Sequence, residues 1–263
     1  MTSQSYETII VERSDAGVVT ITMNRPARKN AINGVMWKEL LAEFLAVSRS
    51  PADRVLVVTG AGGAFCSGAD LDPEGLANER HWWYRMVDIG DVALALQRVP
   101  QPTIAKVGGV AAGAGLNLAL GCDLIVASDG ARFTEIFAKR GLSLDFGGSW
   151  LLPRLIGLHK AKELALFGDI ISAKEAADFG LVNRVVSAAE LDGFVDGWAT
   201  RLAAGPPIAL AQTKRLLNNS FQGTLAQALD DEAWAQSVNF GTDDAAEALA
   251  AFTEKRDPTF TGK

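Results

Sequence analysis

The sequence predicts an α/β fold, in which short buried strands alternate with helices along the chain. Two runs, VLVVTG at 55–60 and TIAKV at 103–107, are short and largely apolar, as strands of a parallel sheet are when both faces are covered. Each run leads into a Gly-rich loop and then into a segment whose apolar residues have helical spacing. This alternation is typical of α/β proteins.

The two ends of the chain differ from this pattern. At the amino end, ETIIVERS and GVVTITMN predict a hairpin with a turn at 14–17, and a helix is expected over about 32–49. Capping-box patterns at 172–175 and 187–190 predict two helix starts, and LVNRVV between them predicts a strand. We expect an α/β core at 1–196 and a helical region at 197–263 that needs a neighbour to bury its apolar faces.

The composition argues against several classes of protein. With 48% hydrophobic residues the 263-residue chain can bury a large core, and its net charge of −6 argues against nucleic acid as the main partner. Cys66 and Cys122 lack metal-binding spacing, so we expect no zinc site and no disulfide framework. The stretch 107–127 has the length of a membrane span, but its five glycines favour a turn, a short helix and a strand. Because the start lacks a signal-peptide pattern, a cytoplasmic protein with no membrane association is expected.

Two loops, at 60–71 and 108–115, are alike in context. Each follows a buried strand, is rich in Gly and Ala, and opens a helix. Small residues let backbone approach a ligand, and two such loops could aim two N–H groups at one oxygen, as in an oxyanion hole. The alternative is two tight turns that only allow close helix–sheet packing. Neither loop has the strict GxGxxG pattern of dinucleotide-binding proteins or the Gly-Lys-Ser/Thr ending of a P-loop.

A set of longer blocks carries a more specific signal. In chain order the blocks are TMNRPARKNAIN, VLVVTGAGGAFCSGADL, PTIAKVGGVAAGAGLNLALGCDLIVAS, RGLSLDFGGSWLLPRLIG, SAKEAADFGLVNRVV and FTEKRDPTFTG. In this order, and over nearly the whole chain, they resemble the signature blocks of the crotonase (enoyl-CoA hydratase/isomerase) superfamily. The resemblance implies a crotonase-type spiral of ββα turns followed by a C-terminal helical trimerisation region. It also implies an acyl-CoA substrate, a homotrimer or dimer of trimers, and no cofactor, since CoA is part of the substrate.

The resemblance also assigns residues to the site. The first loop matches the family's oxyanion segment at Ala69, and the second matches at Ala114, directly after Gly113. Their backbone N–H groups are expected to hold the thioester oxygen. The residues expected along CoA or at its phosphates are Ser67, Gly68, Asp70, Leu71, Arg25, Arg28, Lys29 and Lys255. For the cations the alternative is a solvated surface charge.

The matching positions for acid–base chemistry differ from those of hydratases. Family hydratases use two glutamates to activate water, whereas this chain has Asn117 and Phe137, which are expected to line the substrate site. Where hydratases have Gly it has Asp145, as in dienoyl-CoA and ring-1,2-epoxyphenylacetyl-CoA isomerases. The resemblance implies an acyl-CoA isomerase in which Asp145 moves a proton between two carbons. The alternative for Asp145 is a helix cap. Glu135 is the nearest other candidate for a catalytic carboxylate, and is otherwise interpreted as a surface residue at a strand end.

Two other functions stay open. One is an enoyl-CoA hydratase of fatty-acid or aromatic-acid degradation, with Asp145 and a water held by Asn117. The other is a non-catalytic acyl-CoA-binding or assembly protein. His81 and His159 lack a Ser or Cys partner in a recognisable arrangement, so a hydrolase triad is not predicted. A cluster of large side chains follows the first loop: Trp82, Trp83, Tyr84 and Met86. These residues would either cover an acyl pocket, which would then favour a bulky or aromatic acyl group, or form a trimer or core contact.

Overall fold

A computed structural model describes residues 2–71 and 81–263 of the chain. In these ranges the larger sheet consists of β1 (Thr2–Ser5), β2 (Ile9–Arg13), β3 (Val18–Met23), β4 (Val55–Gly60), β5 (Thr103–Val107), β7 (Leu124–Ser128) and β10 (Arg184–Val186). The strands lie side by side in the order β1-β2-β3-β4-β5-β7-β10. The pairs β1–β2 and β2–β3 are antiparallel, and every pair from β3 to β10 is parallel. The predicted hairpin and parallel strands are thus confirmed.

A smaller sheet lies beside the ends of the parallel strands. It consists of β6 (Val110–Ala112), β8 (Arg132–Thr134) and β9 (Ile171–Ser172), with β6 and β8 parallel and β9 antiparallel to β8. The chain passes from β5 to β6 and from β7 to β8, so each turn places one strand in each sheet before a helical segment. This repeated passage is the spiral of ββα turns that the sequence blocks imply.

The helices begin close to the positions that the sequence predicts. Their bounds are α1 (Gly34–Arg49), α2 (Trp82–Gln97), α3 (Ala114–Leu120), α4 (Gly148–Ile156), α5 (Leu158–Phe167), α6 (Ala173–Asp178), α7 (Leu191–Ala203), α8 (Pro207–Asn219), α9 (Leu225–Phe240) and α10 (Asp243–Glu254). Ser172 and Glu175 form the predicted capping box at the start of α6. Ser187 and Glu190 also hydrogen-bond, but α7 begins after them at Leu191 without a side-chain cap, so that prediction was wrong by several residues.

Strand β4 shows why the central strands are apolar on both faces. Leu56 and Val58 belong to the core cluster that includes α1, whereas Val55 and Val57 pack with Leu191, Val195 and Ala199 of α7. Helix α7 therefore covers one face of the sheet. The boundary expected at residues 196–197 falls inside this helix.

The helices after α7 expose large apolar side chains. Trp234 is 73% exposed and Phe252 is 84% exposed; other exposed apolar residues of this region are Leu217, Phe221, Leu225, Leu229, Val238, Phe240 and Leu249. A surface of this kind is typical of a subunit contact. It supports the expected trimer, which stays a prediction.

The apolar stretch 107–127 is divided among four elements. It contains the end of β5, then β6, the seven-residue helix α3, and most of β7. In the described part of the chain, no helix combines the length and apolarity that a membrane crossing requires.

Candidate active site

The two Gly-rich loops lie side by side. The Cys66 N–H donates to the Val110 carbonyl at 2.9 Å, and the Ala112 N–H donates to the Cys66 carbonyl at 2.9 Å. Loop 60–71 thereby extends the smaller sheet next to β6, with Cys66 opposite Ala111. Segments that are more than forty residues apart in sequence are held in register by backbone hydrogen bonds.

Two glycines make this approach possible. Gly68 has φ +103°, and a Cβ there would lie 3.0 Å from the Ala112 carbonyl oxygen and 3.8 Å from the Ala114 nitrogen. A Cβ on Gly115 would lie 2.5 Å from the Cys66 carbonyl oxygen and 2.7 Å from its Sγ. Any side chain at either position would push the loops apart, so both glycines are required by packing.

The predicted oxyanion donors lie at this junction. Ala69 directly follows Gly68, and Ala114 is the first residue of α3, where a helical N–H has no intrahelical partner. Within residues 2–71 and 81–263, neither N–H donates a hydrogen bond. Both groups are therefore available to an external oxygen.

The neighbouring predicted CoA residues have internal partners. The Ser67 N–H donates to the Lys29 carbonyl at 3.0 Å, and its hydroxyl donates to the Arg28 carbonyl at 3.2 Å. This contact brings both exposed cations to the first loop. Arg25 forms an ion pair with Asp70 at 2.8 Å, so it braces the loop.

Two further predicted CoA residues are exposed. Leu71 lies at the surface at the end of the first loop. Lys255 is exposed at the end of α10, and no described contact joins it to either loop within one chain.

Asn117 connects the second loop to the segment that contains Asp145. It lies one turn into α3, is fully buried, and donates from Nδ2 to the Asp145 carbonyl oxygen at 3.0 Å. Gly148 permits this contact, because a Cβ there would lie 2.4 Å from the Asn117 Nδ2. The Gly148 N–H donates to the same carbonyl at 2.9 Å, which fixes the Asp145 peptide at the start of α4.

Asp145 is not a helix cap, so that alternative is wrong. The residue at the cap position of α4 is Gly147, with no side-chain hydrogen bond. The Asp145 Oδ1 is buried and has no hydrogen-bond partner among residues 2–71 and 81–263. Phe146 has φ +46°, a conformation that costs a bulky residue on the order of 1–3 kcal/mol. Its ring stacks on Trp37 at 5.3 Å, which helps to hold it in place. Burial raises the pKa of Asp145 to about 6.

The interpretation of Glu135 as a surface residue is wrong. Its side chain is fully buried at the end of β8, and neither carboxyl oxygen has a hydrogen-bond partner in the described part of the chain. Burial and the charge of Asp145 raise the pKa of Glu135 to about 8, while the nearby Asn117 amide acts in the opposite direction. The sequence held one signal of this burial. Residues two apart in extended chain share a face, and Glu135 follows the apolar Phe133 in this way.

Phe137 closes the site on the side of the second loop. It is 7% exposed, and its ring atoms lie 3.6 Å from where a Cβ of Gly113 would be. The ring therefore lies beside the second loop, where an apolar side chain cannot bind or activate a water.

In the described part of the chain, Cys66, His81 and His159 do not form a nucleophilic centre. Burial raises the pKa of the Cys66 thiol to about 12, so it is not a thiolate near neutral pH. His81 accepts a hydrogen bond from the Trp83 N–H at the start of α2, and His159 is exposed. The cluster of Trp82, Trp83, Tyr84 and Met86 is exposed, so the core-contact alternative is wrong. The pocket roof and the trimer contact both stay predictions.

A groove of about 670 Å³ lies apart from these residues, between the end of α2 and α8. Its lining includes Arg98, Pro100 and Lys214, near the amino end of β5, whereas the loops lie beyond its carboxyl end. Lys214 forms an ion pair with Asp123 at 2.7 Å and donates to the Gln101 carbonyl at 3.0 Å. The candidate site therefore consists of the two loops and the buried carboxyls, and this groove is not part of it.

The sequence profile of the family described as enoyl-CoA hydratase/isomerase matches residues 13–263. The chain belongs to the enoyl-CoA hydratase/isomerase family. The match includes both loops, Glu135 and Asp145. The resemblance of the sequence blocks to the crotonase superfamily is thereby confirmed.

Known proteins similar to the chain include both kinds of enzyme. The chain is 38% identical over 259 residues to 1,2-epoxyphenylacetyl-CoA isomerase of Escherichia coli K12, covering 97% of this chain and 98% of that protein. It is 39% identical over 263 residues to a Rhodobacter capsulatus protein named probable enoyl-CoA hydratase, and the match covers 98% of this chain and 100% of that protein. The crystal structure of an enoyl-CoA hydratase from Bacillus anthracis superposes on this chain with a TM-score of 0.94 at 34% sequence identity. The superposition covers 98% of this chain and 100% of the hydratase chain. The chain is a crotonase-family acyl-CoA hydratase/isomerase, and these relatives do not separate the two reactions.

Proposed function

We propose that the protein is an acyl-CoA isomerase. The thioester oxygen of the substrate binds between the N–H groups of Ala69 and Ala114. Asp145 removes a proton from one carbon of the acyl chain, the electron pair moves to the thioester oxygen as an enolate, and Asp145 returns the proton to another carbon. No metal or organic cofactor takes part in this scheme, and CoA belongs to the substrate.

The observation that carries this proposal is the state of the Asp145 carboxyl. It is partly buried, its Oδ1 has no partner in the described structure, and its backbone is fixed by Asn117 and Gly148. With its pKa raised to about 6, it is mostly ionised at pH 7 yet basic enough to take a proton. General bases are most effective when their pKa lies near the working pH.

The two backbone donors supply a second part of the rate. Fixed N–H groups aimed at a developing negative oxygen each contribute about 10²–10³ in rate in enzymes where one has been removed. In this protein the two loops are locked together before substrate arrives, because Gly68 and Gly115 pack against the opposite loop. Such preorganisation lets the donors stabilise the enolate with little rearrangement.

A hydratase is the second candidate, and one observation favours it. In the described structure, Asn117, Glu135 and Asp145 together present buried oxygens without partners, and polar groups of this kind are the partners that a buried water needs. A water activated by two carboxyls would add to an enoyl-CoA. The absence of glutamate at positions 117 and 137 favours the isomerase.

Product mass distinguishes the two reactions. We would incubate the wild-type enzyme with aliphatic and arylacetyl CoA thioesters and read the products by mass spectrometry. An isomerase leaves the mass unchanged, whereas a hydratase adds one water. Crotonyl-CoA hydration at the rate of an efficient enzyme would contradict the isomerase proposal.

The variant Asp145→Asn tests whether the carboxyl carries the reaction. Turnover should fall by roughly 10² or more while CoA binding stays intact, because the amide is nearly isosteric but cannot accept the proton. Asp178→Asn, at an exposed ion pair with Lys174, is the matched control and should keep wild-type turnover. Undiminished activity of Asp145→Asn would exclude Asp145 as the base. Turnover of no acyl-CoA by the wild type would favour the non-catalytic binding protein.

A further inference from the structure

Three side chains from separate elements leave an unusual group of oxygens at the site. Within residues 2–71 and 81–263, eight buried side-chain nitrogen or oxygen atoms lack a hydrogen-bond partner, and half of them belong to Asn117, Glu135 and Asp145. They are the Asn117 Oδ1, both carboxyl oxygens of Glu135, and the Asp145 Oδ1. The Gly113 N–H donates to the Thr134 carbonyl at 2.9 Å, so the next residue, Glu135, lies beside the start of the helix that carries Asn117. Buried polar groups are normally paired, so a concentration of unpaired oxygens calls for a physical cause.

These atoms are all acceptors unless a carboxyl carries a proton. The Asn117 Nδ2 is the one amide donor among the three side chains. It donates to the Asp145 carbonyl, and it lies close enough to Glu135 to lower the pKa of that carboxyl. One neutral amide cannot balance two ionised carboxylates in a buried space, so the two negative charges would repel each other. A proton on one carboxyl removes one charge and supplies an O–H donor to the other carboxyl, directly or through one water.

We propose that Glu135 and Asp145 form an acid–base pair beside Asn117, in which Glu135 holds a proton and donates it in a hydrogen bond to the ionised Asp145, directly or through one water, during catalysis. The inference rests on the proposed function of Asp145 and adds a residue that the family pattern does not assign. Glu135 is a positioning residue, because it acts on the substrate through Asp145.

The burial of the two groups determines which of them holds the proton. Glu135 is fully buried, whereas Asp145 is only partly buried, so the charged form costs more at Glu135. The pKa of Glu135 is raised to about 8 and that of Asp145 to about 6. Between these values the pair binds one proton, and two such groups titrate as a pair.

The other charged groups near Glu135 are engaged elsewhere or lie at the surface. On the 3-10 helix at Ile136–Arg140, Lys139 pairs with Asp169 at 2.8 Å in an exposed bridge, and Arg140 is exposed. Helix α3 has no ionisable residue, and Arg154 of α4 stacks on Trp150. The ionisable residues of α5 lie at or near the surface: His159, Lys160, Lys162 and Glu163. Among the described residues, Asp145 is the titratable group that acts on Glu135.

The proton balance of the reaction closes with this pair. Asp145 breaks a C–H bond and becomes neutral, and the electron pair forms the enolate. It then gives the proton to the second carbon and is ionised again. Glu135 keeps its own proton throughout and orients Asp145 by its O–H. Ionisation of Glu135 at high pH would place a second buried negative charge next to the forming enolate and slow the reaction.

An infrared measurement tests the pair without any need for turnover. A protonated buried carboxyl has its own C=O stretching band, separate from that of carboxylates. We expect this band in wild type at pH 7, lost in Glu135→Gln and retained in Asp145→Asn. In Asp145→Asn its titration midpoint should fall, because the charge that holds the proton on Glu135 is gone. The exposed Glu163→Gln is the matched control and should retain the wild-type band.

A pH profile tests the role in catalysis. Wild-type turnover should decline above about pH 8. The rate at pH 9 divided by the rate at pH 7 should be about tenfold higher in Glu135→Gln than in the wild type, because the amide at position 135 cannot ionise. An absent band at pH 7, or a band that Glu135→Gln does not remove, would overturn the pair whatever the enzyme's reaction is. The same alkaline decline in wild type and Glu135→Gln would overturn its catalytic role. Undiminished activity in Asp145→Asn would overturn the proposed function without changing the infrared result for the wild type, so the two failures are distinguishable.

Discussion

Replacing Glu135 by Gln should make the protein more stable in alkaline solution, and the size of the gain follows from the burial of the carboxyl. The pKa of Glu135 is raised from 4.5 to about 8 in the folded protein. Between these two pH values the folded chain keeps a proton that the unfolded chain has released. The contribution of Glu135 to the free energy of unfolding of the wild type is therefore fully present below pH 4.5, and it is lost as the pH rises to about 8.

The magnitude follows from linkage. One pH unit corresponds to about 1.4 kcal/mol, so the wild type loses on the order of 5 kcal/mol through this window. The variant has no proton to lose at position 135. Its free energy of unfolding, relative to wild type, should rise steadily between pH 5 and pH 8 and then stay level.

Urea unfolding followed by circular dichroism, at pH values from 5 to 9 and at one fixed protein concentration, measures this difference. Glu247→Gln is a control of opposite sign. Arg256 and the Thr259 N–H lower the pKa of Glu247 to about 2, so its stabilising contribution is present above pH 4.5 and is lost as the pH falls towards 2. That variant should be less stable than wild type at neutral pH. A Glu135→Gln difference that is the same at pH 5 and pH 9 would show that the carboxyl is not held protonated, and would refute the reasoning.

Three further predictions concern the loops and the assembly. Ala114→Pro removes one oxyanion donor at the first position of a helix, which tolerates proline, and should lower turnover about 10²–10³-fold. Leu158→Pro is the control, because Leu158 is also the first residue of a helix and follows a glycine. Wild-type turnover in a folded, CoA-binding Ala114→Pro protein would exclude that donor. Gly115→Ala should weaken activity and stability together, because its Cβ would overlap Cys66, and a stable, active variant would contradict the packing. Light scattering at micromolar concentration should give a trimer or a hexamer, and a monomer would contradict the expected assembly.

Much of the fold is predictable because local chemistry sets it. The apolar run at 55–60 makes a strand covered on both faces, and the Ser172–Glu175 capping box marks a helix start. These features depend on residues within a few positions of one another, so their pattern is visible along the chain. The helical character of the region after α7 is predictable for the same reason.

The start of α7 and the division of the chain depend on packing. The Ser187 pattern predicts a helix that begins earlier than Leu191, because the sequence shows the hydrogen-bonding pair but not the turn that follows it. Val195 and Ala199 attach α7 to the sheet, a contact with residues far away in sequence. No local pattern contains that information.

The sequence by itself determined which small residues form the loops and which carboxyl, Asp145, stands where isomerases have theirs. Only the tertiary structure decided that Asp145 is free of any capping role and that Glu135 is buried beside it. Two segments distant in sequence pack around Glu135. Gly168, which follows α5, lies against its backbone, since a Cβ on Gly168 would be 3.1 Å from the Glu135 carbonyl oxygen. Asn117 of α3 lies near its side chain. The protonation state of a carboxyl depends on the solvent and charges around it in space. That environment forms when elements distant along the chain pack together, and so the acid–base character of the site is a property of the folded protein.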